Sequence, residues 1–259
     1  MINDEPKTLP VLIASVLACA VLALSAGAAP KQRTVSVAIE VAPGTLVRWS
    51  VPGTTRCRMG ARSWPPLGET CYYPIDLEHK PGVITVTRQG KNRSETARIA
   101  ITQRAYGTQE IELPDIPQAN PSAADLKRNE RERILLAKIF RRKEGPAKFT
   151  LPLGKPANPL PASTPVQAAA DGTVVLAQEL FYPGNAVFID HGDGLISMYF
   201  HLSDINVHAG QEVVKGDRVG QVGTTGRSTG PHLFFGIRWH DARIDPRMVL
   251  EDPARIPAL

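Results

Sequence analysis

The sequence predicts an all-β protein interrupted by one long helix, and three observations carry that prediction. Short runs of alternating apolar and polar residues recur from Thr34 to about Leu113, and again from Phe149 onward. Glycine and proline punctuate these runs at the places where tight turns belong. Only one stretch, after Asn120, carries the start, stop and spacing signals of a helix. With 259 residues, 42% of them apolar, the chain has material for two domains with packed cores. The expected division is 1–30 as a targeting segment, 31–116 as a β domain, 117–148 as linker and helix, and 149–259 as a second β domain.

The first segment sets the expected compartment. Val11–Ala29 is an unbroken run of apolar and small residues, and as a helix it would reach about 28 Å, the thickness of a bilayer core. Ala26-Gly27-Ala28 at its end suits signal-peptide cleavage. The run therefore reads as a signal peptide or a retained N-terminal membrane anchor, although Asp4 and Glu5 ahead of it and Lys31 and Arg33 behind it give a poor positive-inside signal. Cys19 sits within the run, so its lipoprotein-box flavour is weak. The protein is expected to be exported, to the periplasm or cell envelope, and anchored in the inner membrane if the segment is kept.

In the exported part only Cys57 and Cys71 remain, and an isolated pair in an oxidising compartment reads as a disulfide. It would close a loop of about 15 residues, worth roughly 3 kcal/mol in the chain-entropy account. Around it lie strand patterns: Val35, Val37 and Ile39 against Ser36, Ala38 and Glu40; then Thr45–Val51 after Pro43-Gly44; then Gly82–Gln89, Glu95–Gln103 and Gln109–Leu113. Several short β runs with turns between them suggest a small sandwich of immunoglobulin-like character. No catalytic constellation accompanies them, and His79 stands alone.

The helix follows. Asn120 can cap it, Pro121 suits its first turn, and Leu126, Ile134, Leu135, Ile139 and Phe140 offer an apolar stripe. It ends on Arg141-Arg142-Lys143, where positive charge meets the negative end of the helix dipole, with Gly145-Pro146 as the stop. This is the densest basic stretch of a chain with net charge +5, but Asp125, Glu130 and Glu132 interleave it. It reads as a solvated, mixed-charge face. Basic clusters interleaved with aromatics are missing, so no nucleic acid is expected as a partner.

Beyond Phe149, strands are expected at Val174–Ala177, Ala186–Asp190, Leu195–Tyr199, Arg218–Val222 and Leu233–Trp239. Their connecting text is specific. Ala168-Ala169-Ala170-Asp171-Gly172-Thr173-Val174-Val175 opens it, and Gly184-Asn185-Ala186-Val187-Phe188-Ile189-Asp190-His191-Gly192 follows. Then come Met198-Tyr199-Phe200-His201-Leu202-Ser203, Ala209-Gly210-Gln211-Glu212-Val213, and Gly223-Thr224-Thr225-Gly226-Arg227-Ser228-Thr229-Gly230-Pro231-His232-Leu233. In order and spacing these blocks resemble the LytM/lysostaphin-like zinc endopeptidases (peptidase family M23), over roughly Ala168 to Leu250. The resemblance implies a lysostaphin-type β domain at the C-terminus.

It also implies a site, and here the sequence departs from the pattern. In that family an H-x-x-x-D motif and the second His of an H-x-H motif hold zinc, while two further histidines flank the metal-bound water. Such a zinc needs about three protein ligands and an open position for a water whose pKa it lowers. His201 and His232 match the two flanking residues. The second position of H-x-H is Phe234, and no H-x-x-x-D precedes Ala168. Leu153–Pro165 stands in its place as a Pro-rich stretch with neither His nor acid. His191 falls at a turn where relatives carry a non-ligand His, and His208 and His240 lie outside the motifs. No metal cofactor is therefore expected.

The leading reading is an exported, degenerate peptidase domain that binds peptidoglycan or a cell-wall hydrolase without cutting. One alternative is an active zinc endopeptidase of peptidoglycan cross-links with non-standard ligands. Another is a damaged domain whose lost segment leaves an open sheet edge.

Overall fold

The computed structural model describes residues 31–91, 93–105, 107–108, 110, 112, 115–142, 145–157 and 162–259, with side chains from Ile39 onward. Several sequence expectations lie outside them: the Val11–Ala29 segment, the alternation of Val35 and Val37, most of Gln109–Leu113, and Asn158–Pro161 of the Pro-rich stretch. No described helix is long and apolar enough to cross a membrane.

The N-terminal part is β throughout. Its strands are β1 (Lys31–Val41), β2 (Leu46–Ser50), β3 (Thr54–Met59), β4 (Arg62–Trp64), β5 (Thr70–Pro74), β6 (Gly82–Gly90) and β7 (Arg93–Ile101). Five of them form one sheet in the order β1-β7-β6-β3-β4, with β1 parallel to β7, while β2 and β5 pair in a second. Val47, Trp49 and Tyr73 from the small sheet meet Val86, Ala97 and Ile99 from the large one in a single core. The Cys57–Cys71 disulfide runs from β3 to β5 and ties the sheets across that core. One charge is buried here: Arg88 is held by Glu95 and by Thr54 Oγ1 at 3.1 Å, which holds the Glu95 carboxyl below its ordinary pKa. A buried charge is tolerable only when paired in this way.

The helix, α1 (Ala123–Phe140), differs from expectation in its cap and its buried face. Ser122, not Asn120, is the N-cap; its hydroxyl accepts from the Asp125 backbone N–H while the Asp125 carboxylate accepts from Ser122 N. That reciprocal box satisfies two donors at once and outcompetes a single Asn cap. Leu126, Ile134 and Leu135 are exposed. The face that packs carries Ile139, Leu136 and Phe140, with Glu132 accepting from Phe181 N at 2.8 Å and Arg128 lying over the Phe181 ring.

The C-terminal part holds β8 (Pro165–Gln167), β9 (Gly172–Leu180), β10 (Gly184–Asp190), β11 (Leu195–Ile205), β12 (Glu212–Val213), β13 (Arg218–Val222), β14 (Phe234–Trp239) and β15 (Ala242–Ile244), then the short α2 (Arg247–Leu250). The main sheet runs β12-β9-β10-β11-β13-β8, and β14 pairs with both β11 and β15. One face buries Val174, Val187, Tyr199 and Leu202; the other carries Leu176, Phe188 and Met198 under α1. The described residues are thus mostly β, apart from α1, the short α2, a 3-10 turn at Pro253–Arg255 and the connecting loops.

The two β parts share packing. Leu46 joins the core around Trp239, Tyr72 stacks on Trp239 at 5.2 Å, and Trp64 stacks on His240 at 4.2 Å. Backbone pairs reinforce this: Leu77 N donates to Arg243 O at 2.8 Å, and Arg48 N to Pro257 O at 2.9 Å.

Candidate functional site

The site is built where β11 changes neighbours. Leu195 to Phe200 pair with β14, whereas Leu202 to Ile205 pair with β13. Against β10, three steps of β11 (Tyr199 to Leu202) oppose two (Asn185 to Val187), so the strand bulges there. His201 sits in the bulge with φ +64°, its backbone N–H donating to Pro183 O rather than to the ladder. Bulges re-aim a side chain in this manner.

The loop between β13 and β14 closes over that bulge. Gly226, at φ +73°, lies so near Gly184 and Tyr182 that a Cβ would stand 2.3 Å from Gly184 N and 2.4 Å from Tyr182 O. Only glycine fits both the left-handed backbone and the space. This contact fixes Thr225, whose hydroxyl donates to Leu202 O at 2.8 Å and accepts from Asn185 N at 2.9 Å.

Thr225 in turn orients His201: the Nδ1–H donates to Thr225 O at 2.9 Å. On the other side His232 Nδ1 donates to Gly230 O at 2.9 Å and lies 3.2 Å from Ser228 Oγ. Because a carbonyl can only accept, both imidazoles in their neutral form carry the proton on Nδ1 and leave Nε2 as an acceptor. The two rings come within 4.7 Å of each other, centroid to centroid. Burial above all, with smaller electrostatic contributions from the neighbouring His232 and Arg227, lowers the His201 pKa below its ordinary value, despite the Thr225 carbonyl. At neutral pH this ring is an acceptor, not a cation.

Phe234 completes the surface. Its ring stacks on Phe200 at 4.9 Å with planes 6° apart, and Phe200 leans on Phe188 at 5.3 Å. Although stacked on one side, Phe234 remains 44% exposed. Arg227, on the same loop, sets its guanidinium 5.2 Å from the Tyr182 ring centre, within electrostatic reach of His201. The motif blocks had included these residues, but only the fold reveals that Thr225 and Ser228 steer the histidines and that Phe200 underlies Phe234.

The remaining histidines are engaged elsewhere. His191 is buried, with Nδ1 donating to Asp171 O at 2.7 Å and Nε2 2.7 Å from Ser197 Oγ. His240 lies under Trp64, and His208 is exposed with Nδ1 near Ala209 O. Among the described residues no three His, Cys, Asp or Glu side chains gather to hold a metal. The donor set thus does not fit the zinc that the motif text implies. Phe234 fills one ligand position with a ring that has no lone pair, and from Ala147 to Ala170 the sequence holds no His, Asp or Glu.

Comparison with known proteins places the fold and the text together. The Peptidase family M23 model matches residues 159–246. Peptidoglycan DD-endopeptidase ShyA of Vibrio cholerae is 47% identical over 78 residues, covering 30% of this chain and 18% of that protein. Cell division protein DipM of Caulobacter vibrioides is 37% identical over 97 residues, covering 35% of this chain and 16% of its own length. The chain thus spans about a fifth or less of the length of these curated relatives. A crystal structure of a candidate peptidase M23 from Pseudomonas aeruginosa aligns with TM-score 0.65 and 29% identity, covering 81% of this chain and 94% of that one. Residues 159–246 of the chain thus match a Peptidase family M23 domain.

Proposed function

We propose that this chain is an exported cell-envelope protein whose M23 domain recognises peptidoglycan, or a hydrolase acting on it, without cutting. The observation that carries this reading is Phe234, an exposed aromatic ring stacked on Phe200 where the family places a zinc-ligating histidine. The relatives named as peptidoglycan DD-endopeptidases support a wall polymer as the thing met, and they support the periplasm or envelope as the place. The relative named as a cell division protein fits a role other than digestion. In this reading His201 and His232 are remnants of the catalytic set. Their Nε2 atoms accept hydrogen bonds from a peptide's N–H groups, and Phe234 receives its apolar parts.

Residues 31–116 form, in this reading, an immunoglobulin-like sandwich, 117–148 a linker with its helix, and 149–259 the degenerate peptidase domain. Residues 1–30 direct export or anchor the chain. Two packed sheets joined by a disulfide support the sandwich assignment.

The approach of His201 to His232 favours a second reading, in which non-standard ligands rebuild a zinc endopeptidase. One experiment separates the two. The purified protein is assayed for zinc, sedimented with peptidoglycan sacculi, and tested for release of soluble fragments with and without a chelator. Binding without release and without stoichiometric zinc is expected. Chelator-sensitive release by protein carrying stoichiometric zinc would sink the non-catalytic reading.

A further inference from the structure

The solvent face of α1 carries a charge separation that the linear sequence conceals. The helix's acids are all engaged: Asp125 in the cap with Ser122, Glu130 with Arg133 at 2.8 Å, and Glu132 with Arg128 at 2.7 Å. Three of its cations are not: Lys127, Arg131 and Lys138 are all exposed, and among the described residues none has an ion-pair partner; exposed Arg141 and Arg142 follow just past the helix end. At about 100° per residue Lys127, Arg131 and Lys138 fall within an arc of about 100° centred about 90° round the helix from Ile139. No acid lies inside the arc.

Within the same arc stand Ile134, 49% exposed, and Leu135, 38% exposed. Apolar side chains set among unpaired cations suit a partner that offers anionic groups above an apolar phase. A soluble polyanion would meet the cations but give Ile134 nothing to enter.

We propose that the outward face of α1 docks on a bilayer surface rich in anionic phospholipid, the cations meeting phosphate headgroups and Ile134 entering the interface. This surface is separate from the His201–His232 cleft, so its test does not depend on what that cleft binds.

The test uses residues Lys31–Leu259, which form one compact unit containing every hydrophobic core and the disulfide. Leaving out Val11–Ala29 removes a segment that would partition into any lipid. Flotation with phosphatidylcholine vesicles, with and without phosphatidylglycerol, measures binding. Strong binding is expected only with the anionic lipid, and it should fade as salt screens the contact. Near a charged surface each Lys or Arg is worth about a fivefold change in binding, so K127Q/R131Q/K138Q should weaken it about a hundredfold. I134Q, with every charge intact, should weaken it severalfold.

A control, R58Q/K80Q/K91Q, removes the same charge from exposed positions in the N-terminal β part. Unfolding midpoints confirm that each variant folds. Equal losses in control and helix variants would overturn the proposal in favour of diffuse attraction. So would binding to pure phosphatidylcholine, or equal binding to soluble polyphosphate with no effect of I134Q.

Discussion

Replacing Phe234 by Ala removes the ring on which the non-catalytic reading rests, and its consequences can be sized from the structure. A fully buried Phe→Ala change costs about 3–5 kcal/mol. Phe234 is 44% exposed, so roughly half of that is at stake, and loss of the near-parallel Phe200 pair is included in it. A cost of about 2 kcal/mol is expected, which for a unit of this size lowers Tm by about 4–8 °C. The ring is also the apolar centre of the proposed recognition surface, where loss of an aromatic anchor weakens binding about tenfold or more. Sedimentation with sacculi at a temperature well below the variant's midpoint reads the binding term apart from the stability term. Unchanged binding by folded F234A would refute the assignment of this cleft as the recognition surface. Unchanged stability would refute the packing argument for the Phe200–Phe234 pair.

Two other perturbations test the frame around the cleft. Burial lowers the pKa of His191 and of His201, so both are neutral in the folded chain near pH 7, whereas in the unfolded chain they protonate near 6.5. Their contribution is therefore complete above pH 6.5 and is lost as pH falls through the folded values: denaturant midpoints should drop between pH 7 and 5, and H191N should flatten that drop. Gly226→Ala forces a Cβ against Gly184 N and Tyr182 O in a left-handed backbone; a loss of about 3 kcal/mol or more is expected in urea unfolding, and no loss would mean the loop is not held as described.

The legible part of the fold was the part whose burial is local. β6 and β7 alternate because each lies over a core on one face, whereas β9 and β10, buried on both faces, show as apolar runs between turns. By contrast β3 to β5 escaped the reading. In β3 only Thr54 and Cys57 are buried, and the run is anchored by the disulfide and by pairing with β6, neither of which leaves a periodic trace. The helix was legible in extent but not in facing. Leu126, Ile134 and Leu135 look like a core stripe, yet Arg128 and Glu132 face the domain because Phe181 offers a ring to one and a backbone N–H to the other. Tertiary partners of that kind cannot be seen in helical periodicity alone.

The site divides in the same way. Its residue types were legible in the motif blocks, including the absence of donors at Phe234 and in Leu153–Pro165. Its geometry was not, since φ +64° at His201 follows from a strand exchanging β14 for β13. That geometry is set by the protein itself. A histidine oriented by zinc would lose its constraint with the ion. Here His201 is held by Thr225 O and a bulge, and His232 by Gly230 O, partners that belong to the backbone. The pairs of Gly226 with Gly184 and of Thr225 with Leu202 are equally independent of any ligand. Phe234, in contrast, lies on the exposed end of β14, where it adds a ring stack with Phe200. In the proposed non-catalytic reading, a surface with two fixed acceptors and an aromatic floor is thereby held rigid by the protein's own backbone, and rigidity of this kind reduces the entropy lost when a peptide binds.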